Sequence, residues 1–399
     1  MDSFIYALVL VPAMRDLLPR SGNEPNTANM GYYGSLLFAV FLIGWGCAFL
    51  WGPLADRFGR VRALVFAVLC YSVFTFLGCV AKNIWELALF RLLAGFGVGG
   101  EFVGAAVFVA EELPSRRRAS WAGYLNSAFY AGMFIAAILN HVLATPYEWR
   151  AMFAAGALPA LFIAFLRRGV QEPERWRRKI ASLGGWTARE SFAALFSQEY
   201  RKRTAFNCLF LLISMVGLWA ASVYAPGAVA EVARRSGYDS LQSARLASWA
   251  TMLLAAGTIT GCLIMPLIAD RVGRRGALVF FFGLMAPSIA IAFGYAFYLD
   301  RYAIACFISC LFFVGVGGSF ALYLVWLPEQ YRTECRGSAL AFATCVGRFA
   351  AAGATFLVGA GVSRYGSIGV PVALTSIAFV VGIFAVPFGV ETKGKPLPP

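Results

Sequence analysis

Three charged side chains stand inside long apolar runs: Arg91, Glu101 and Arg348. A charge held in hydrocarbon costs roughly 2.5–3.5 kcal/mol on insertion scales, so each needs a cavity or a partner. A guanidinium so placed suits an anion, and a carboxyl suits proton carriage or a polar neighbour. Arg91 and Glu101 are ten positions apart, about 15 Å of helical rise, too far to pair directly. Their roles are therefore separate. Arg91 is the first candidate for a carboxylate contact or a proton-coupled switch, Glu101 or Asp2 is the candidate proton carrier of the pathway, and Arg348, in Gly347-Arg348-Phe349, is the second candidate anion contact. The plainer alternative for all three is an ion pair with another helix. Tyr6, Asn126, Tyr130, Trp219, Tyr224, Tyr323 and Trp326 add polar and aromatic groups to the same pathway. Singly, each of these seven reads as packing; only as a set do they suggest a site.

A second kind of chemistry lies in two short charged loops. Gly52-Pro-Leu-Ala-Asp56-Arg57-Phe-Gly59-Arg60 is echoed by Asp270-Arg271-Val-Gly273-Arg274, and the two aspartates are 214 positions apart. Gly97-Val-Gly-Gly recurs as Gly315-Val-Gly-Gly, 218 positions on, followed by Glu111 with Arg118 and by Glu329 with Arg336. Gly52, Gly59 and Gly273 are expected where a tight turn leaves no room for a side chain. Asp56 can pair with Arg60 or with the positive N-terminal end of a neighbouring helix. Such contacts would latch the chain in one conformation and break in another; a bare topology anchor is the alternative.

The elements that position these residues follow from composition. Mean hydropathy is +0.71, 60% of residues are apolar and only 14% are charged, against about 25% charged in soluble domains. Apolar runs of about twenty residues cross a bilayer, and spanning segments that satisfy their own backbone are helical. The chain reads as an all-α integral membrane protein of twelve transmembrane helices in two parallel six-helix repeats. The spans are Asp2–Leu18, Tyr32–Leu54, Ala63–Val80, Ile84–Glu111, Ala119–Leu143, Arg150–Phe165, Thr204–Val229, Ala244–Ala269, Ala277–Phe297, Tyr302–Pro328, Ser338–Val362 and Val370–Phe388. The first is short and is expected to lack its cytoplasmic half. Asp2 is then either part of that helix or solvated at its end. The bundles occupy 1–166 and 204–399, the latter with a short tail, and 167–203 is a basic middle loop with interfacial helices.

The net charge of +14 is topology. Twenty-three of the 34 basic residues lie in alternate loops, the middle loop and the tail, which the positive-inside rule assigns to the cytoplasm. Nucleic acid is not an expected partner. The nine cysteines include no C-x-x-C pair, so neither a disulfide framework nor a metal site is expected. Gly95-Phe-Gly97-Val-Gly99-Gly100 lies in an apolar helix after no strand; it permits close helix packing and is no dinucleotide loop. His141 is the only histidine, read as a surface or capping residue, and no catalytic constellation can be built with it. No cofactor is called for.

These residues resemble the major facilitator superfamily over nearly the whole length. Gly52–Arg60 matches that family's signature loop between helices two and three, and Asp270–Arg274 its weaker copy between helices eight and nine. Gly97-Val-Gly-Gly-Glu101 with Glu111, Glu172-Pro-Glu-Arg-Trp176 and Val390-Glu391-Thr-Lys-Gly-Lys395 are similar to its sugar and metabolite:proton symporter branch. The resemblance implies a monomeric secondary transporter of the cell (inner) membrane, its middle loop and C-terminus cytoplasmic. It would move a small organic acid with protons by alternating access. A sugar or other neutral-solute porter, and a non-transporting membrane sensor, are the alternatives.

Overall fold

The computed structural model describes residues 2–139, 145–160, 171, 172, 174, 176–178, 188–300, 302–318, 320–365 and 367–398. Among them every regular element is a helix. α1 (Asp2–Arg20), α2 (Thr27–Gly46), α3 (Trp51–Phe58), α4 (Arg60–Leu77), α5 (Ile84–Glu112), α6 (Ser115–Leu139) and α7 (Thr145–Ala155) come first. After α8 (Ala188–Ala194) follow α9 (Arg201–Arg235), α10 (Ser240–Gly294), α11 (Ala303–Gly317), α12 (Ala321–Trp326), α13 (Arg336–Tyr365), α14 (Gly369–Leu374) and α15 (Ser376–Ala385). Seven continuous helical stretches among the described residues are long and apolar enough to cross a membrane. One of them, Arg245–Tyr298, is 54 residues long and breaks at Gly273, so it holds two of the expected crossings.

Several boundaries differ from the sequence reading. Residues 145–149, expected as a loop, are the first turns of α7. The expected span Tyr302–Pro328 is interrupted after Gly317, where α11 ends and α12 begins, because consecutive glycines weaken the helix there. One middle-loop helix, α8, is described. It sets Phe192 edge-on against Phe342 of α13, with ring centroids 5.4 Å apart.

Small residues decide how closely the helices approach. A Cβ on Gly95 of α5 would lie 2.2 Å from the Phe41 carbonyl oxygen, and one on Gly44 of α2 would lie 2.0 Å from that of Leu92. The α2 and α5 backbones therefore touch at both points, which larger residues would forbid. Gly52 is not a turn residue, contrary to the sequence reading. It sits within α3, where a Cβ would meet the Ser338 Cα at 2.7 Å, so its smallness lets α3 pack on α13.

The two charged loops share one construction. Gly59 (φ 116°) and Gly273 (φ 83°) turn the chain between helices in the left-handed region that favours glycine. The helix start after each is capped by a carboxylate from far along the chain. Glu172 accepts from the backbone N–H groups of Arg60, Val61 and Arg62 at 2.7, 3.1 and 3.0 Å. Glu391 accepts from those of Arg274 and Arg275, both at 3.0 Å. Burial tends to raise the Glu391 carboxyl, but backbone donors from Arg274, Lys393, Arg275 and Thr392 hold it below its usual 4.5.

Gly95→Val must force α2 from α5, and overpacking of this kind destabilises by about 1–3 kcal/mol; we expect a lower melting temperature for the detergent-solubilised protein. The Glu391 cap is ionised when it acts, so its contribution is complete above about pH 4.5 and is lost as pH falls through the depressed value. Melting curves of Glu391→Gln and the parent should differ at pH 7 and converge as the pH is taken below about 4.5.

Candidate functional site

Two constellations emerge, one at the face that carries the basic loops and one in the interior. At the basic face Arg60 is fully buried. Its guanidinium pairs with Asp56 at 2.9 Å and with Glu111 at 3.0 Å, and donates to the carbonyl oxygens of Ala55 at 2.6 Å and Thr333 at 3.0 Å. Glu111 also pairs with the buried Arg336 at 3.0 Å. Asp56 accepts from the backbone N–H groups of Gly337 and Ser338 at 3.3 and 3.0 Å, and from the Ser338 hydroxyl at 2.8 Å. These are the first N–H groups of α13, so the carboxylate meets the positive end of that helix as well as Arg60. Residues from α3, α4 and α5 are thereby tied to α13.

The second copy is built alike but is looser. Arg274 pairs with Glu329 at 3.1 Å and Asp270 at 3.0 Å. Asp270 is 55% exposed, whereas the Asp56 side chain is 2% exposed. Arg271 offers its carbonyl oxygen to the Lys393 ammonium at 2.9 Å, and Arg57 lies over the Phe58 ring at 5.3 Å. Arg118 donates to the Leu113 carbonyl oxygen at 3.0 Å and so fixes the entry to α6.

The interior constellation is a cavity of about 200 Å³. Its walls are Trp45 of α2, Tyr71 of α4, Val98, Glu101, Phe102 and Ala105 of α5, Leu125, Asn126, Ala128 and Phe129 of α6, Pro159, and Leu324 of α12. Of the residues expected from the sequence, Glu101 and Asn126 line it. The Tyr71 hydroxyl hydrogen-bonds the Glu101 carboxyl, and Asn126 donates to the Cys262 sulfur at 3.1 Å.

Arg348 does not line the cavity but stacks behind its wall. Its guanidinium carbon lies 4.3 Å from the centre of the Trp45 ring and 5.6 Å from that of Phe102. Trp219 also packs on Trp45, with centroids 6.2 Å apart, and Tyr130 sits edge-on to Phe129 at 5.3 Å.

Other expected residues are placed elsewhere. Arg91 is buried between the rings of Phe41 and Tyr6, at 4.0 and 4.6 Å, and does not line the cavity. Tyr6 donates to the Gly34 carbonyl oxygen at 2.9 Å, which fixes α1 to α2. Tyr323 is committed to Ser214 at 2.6 Å and the Phe210 carbonyl oxygen at 3.1 Å, so its hydroxyl serves the packing of α9 on α12. Tyr224 is half-buried on α9 and is not among the wall residues. Asp2 begins α1, but its side chain, like the whole of His141, lies outside the described residues.

Trp45, Tyr71, Phe102 and Phe129 escaped the sequence reading, because apolar aromatic residues are common in any membrane helix. No signal in the sequence set Trp45 apart from the other tryptophans. Ser338, Glu172 and Glu391 were missed as partners because their contacts span more than a hundred positions.

A niacin transporter of Acinetobacter baylyi is 25% identical over 425 residues, covering 100% of this chain and 92% of its own length. A Cupriavidus pinatubonensis protein described as a probable 4-methylmuconolactone transporter is 27% identical over 377 residues, covering 92% of this chain and 83% of its own. Among solved structures, the proton:xylose symporter XylE bound to 6-bromo-6-deoxy-D-glucose superposes with a TM-score of 0.82 at 19% identity, over 99% of this chain and 94% of that one. The fold is therefore the twelve-helix transporter fold in two repeats, and the protein is no enzyme but a membrane transporter of small organic solutes. The sequence model of the Major Facilitator Superfamily matches residues 1–355, and the chain belongs to that family.

Proposed function

We propose that the protein is a proton-coupled symporter of small organic acids in the inner membrane, working by alternating access. Its moving bodies are two six-helix halves, 1–166 and 204–399, joined by the middle loop 167–203, with that loop and the C-terminus in the cytoplasm. The observation that carries this reading is the pairing of functions at one cavity: Glu101 opens onto it, and Arg348 stacks behind its Trp45 and Phe102 wall. An intramembrane acid can take up and release a proton, and a fixed intramembrane cation favours an anionic solute. The niacin-transporting relative handles an acid of this kind.

The basic-face network supplies the gate. Asp56, Arg60, Glu111 and Arg336 hold α13 against α3, α4 and α5, so the path to that face is closed. Opening requires Asp56 to leave the start of α13. Gly52 belongs to the same device, since it allows α3 to approach α13. Gly59, Arg57, Gly273, Arg271, Asp270 and Arg274 shape the two loops, while Glu329 braces the second and Arg118 the entry to α6. The other interior residues of the pathway set, from Asp2 and Tyr6 to Tyr224 and Tyr323, support the helices around this route.

In proteoliposomes with an inward proton gradient, labelled monocarboxylates should accumulate and sugars should not. Collapse of the gradient should abolish accumulation, and Glu101→Gln should remove its dependence on the gradient. Sugar uptake that outlasts Arg348→Gln would replace this reading with a neutral-solute porter.

For the gate, Asp56→Ala should open the basic face and expose Cys335, which is buried beside the start of α13. Maleimide labelling of Cys335, followed by mass spectrometry, should rise at least tenfold. Unchanged labelling would reduce Asp56 to a topology anchor.

A further inference from the structure

Two buried donors, one on a residue of the cavity wall and one on the residue stacked behind it, have no acceptor among the described residues. The Trp45 ring nitrogen Nε1 and the Arg348 nitrogen Nη1 are both buried and neither hydrogen-bonds. Trp45 is 5% exposed and Arg348 3%. The guanidinium lies on the indole, with 4.3 Å between its carbon and the ring centre, so the two donors share one neighbourhood. Among the described residues no carboxylate pairs with Arg348, although Glu101 lines the same cavity.

An unsatisfied buried donor destabilises a fold by about 1–3 kcal/mol, more when charged, and usually marks a functional requirement. Two of them, one cationic, converge on a need for an acceptor that carries negative charge. Trp45 further resists any merely structural account, because its indole could have been a phenylalanine without loss of the stack.

The rest of the cavity defines what that acceptor is attached to. Phe102, Phe129 and Tyr71 present aromatic surface, and Val98, Ala105 and Leu324 are apolar. Walls of this kind take a flat apolar body and offer few partners for the many hydroxyls of a sugar. Asn126 at the wall has already given a donor to Cys262.

We propose that Trp45 Nε1 and Arg348 Nη1 together form the carboxylate subsite of this transporter, and that its solute is a planar ring bearing one carboxylate, held against Phe102 and Phe129. The assignment rests on the acid-transport reading above and adds to it the class of acid and the two atoms that recognise it. The indole carries specificity, since a ring N–H points in one direction. Arg348 carries the charge. Trp45 belongs to α2 and Arg348 to α13, so a carboxylate held by both bridges the two repeats.

The test uses the purified full-length chain and equilibrium binding of radiolabelled benzoate, with benzamide as the neutral isostere. Trp45→Phe keeps the ring and the stack but removes the N–H; Arg348→Gln removes the charge. Loss of a charge-assisted hydrogen bond should weaken benzoate binding roughly ten- to hundred-fold in each variant. The parent should hold benzamide far more weakly, with no further loss in Trp45→Phe. A melting temperature for Trp45→Phe within a few degrees of the parent separates lost recognition from misfolding.

Unchanged benzoate affinity in a folded Trp45→Phe would overturn the subsite while leaving proton-driven acid uptake intact. A parent chain that takes up aliphatic acids yet does not bind benzoate would overturn the planar-ring class. Absence of any acid uptake by the parent would overturn the transport reading itself.

Discussion

A guanidinium buried as completely as that of Arg60 is the constraint on which the basic face depends. Removing such a charge from water is costly, and attraction offsets the cost only when geometry and hydrogen bonding are nearly complete. Here Asp56, Glu111 and two carbonyl oxygens surround it, and Arg336 balances the second acid. Two cations and two anions leave no net charge to solvate. Breaking a buried pair by removing one member destabilises by about 3–5 kcal/mol, so the four groups act as a unit. Because members of that unit come from α3, α4, α5 and α13, their satisfaction and the docking of α13 are one event. Partial separation would strand charge in a dry interior.

The same motif at the second loop shows what surroundings do to identical chemistry. Arg274, Asp270 and Glu329 reproduce the pairing of Arg60, Asp56 and Glu111. Glu391 reproduces the capping role of Glu172. Yet Asp270 stands in solvent while Asp56 is sealed against a helix start. Exposed pairs contribute little because water and salt screen them. The repeat therefore carries one buried fastening and one exposed one.

The interior runs on the opposite principle. Where the buried guanidinium groups of Arg60 and Arg336 meet acids within the protein, Trp45 in the cavity wall and Arg348 behind it each keep a donor with no acceptor among the described residues. A transporter needs both arrangements. The closed face must be stable without solute, and the site must be incomplete without it, because binding energy is available only where the protein has not already used it.

Much of this was legible in the chain as written. Hydropathy fixed the helical membrane class, since a bilayer demands long apolar segments that satisfy their own backbone. The doubled Asp-Arg-x-Gly-Arg loop revealed the repeat, because charge beside apolar runs is conspicuous and glycine is needed where φ is positive. Glu101, Asn126 and Arg348 could be nominated as intramembrane polar groups.

What the sequence could not do was rotate the helices. Arg91 and Arg348 look alike along the chain, and only packing sends one between Phe41 and Tyr6 and the other onto Trp45 behind the cavity wall. Trp45 could not be told from other tryptophans until α2, α5, α6 and α13 were brought around it. Asp56 and Asp270 share the pattern Ala-Asp-Arg-x-Gly-Arg and differ in burial and in the helix start that Asp56 meets. Residue type and spacing determine which groups must find partners; which partner each one finds is decided by helix faces meeting across hundreds of positions, and that only the tertiary structure supplies.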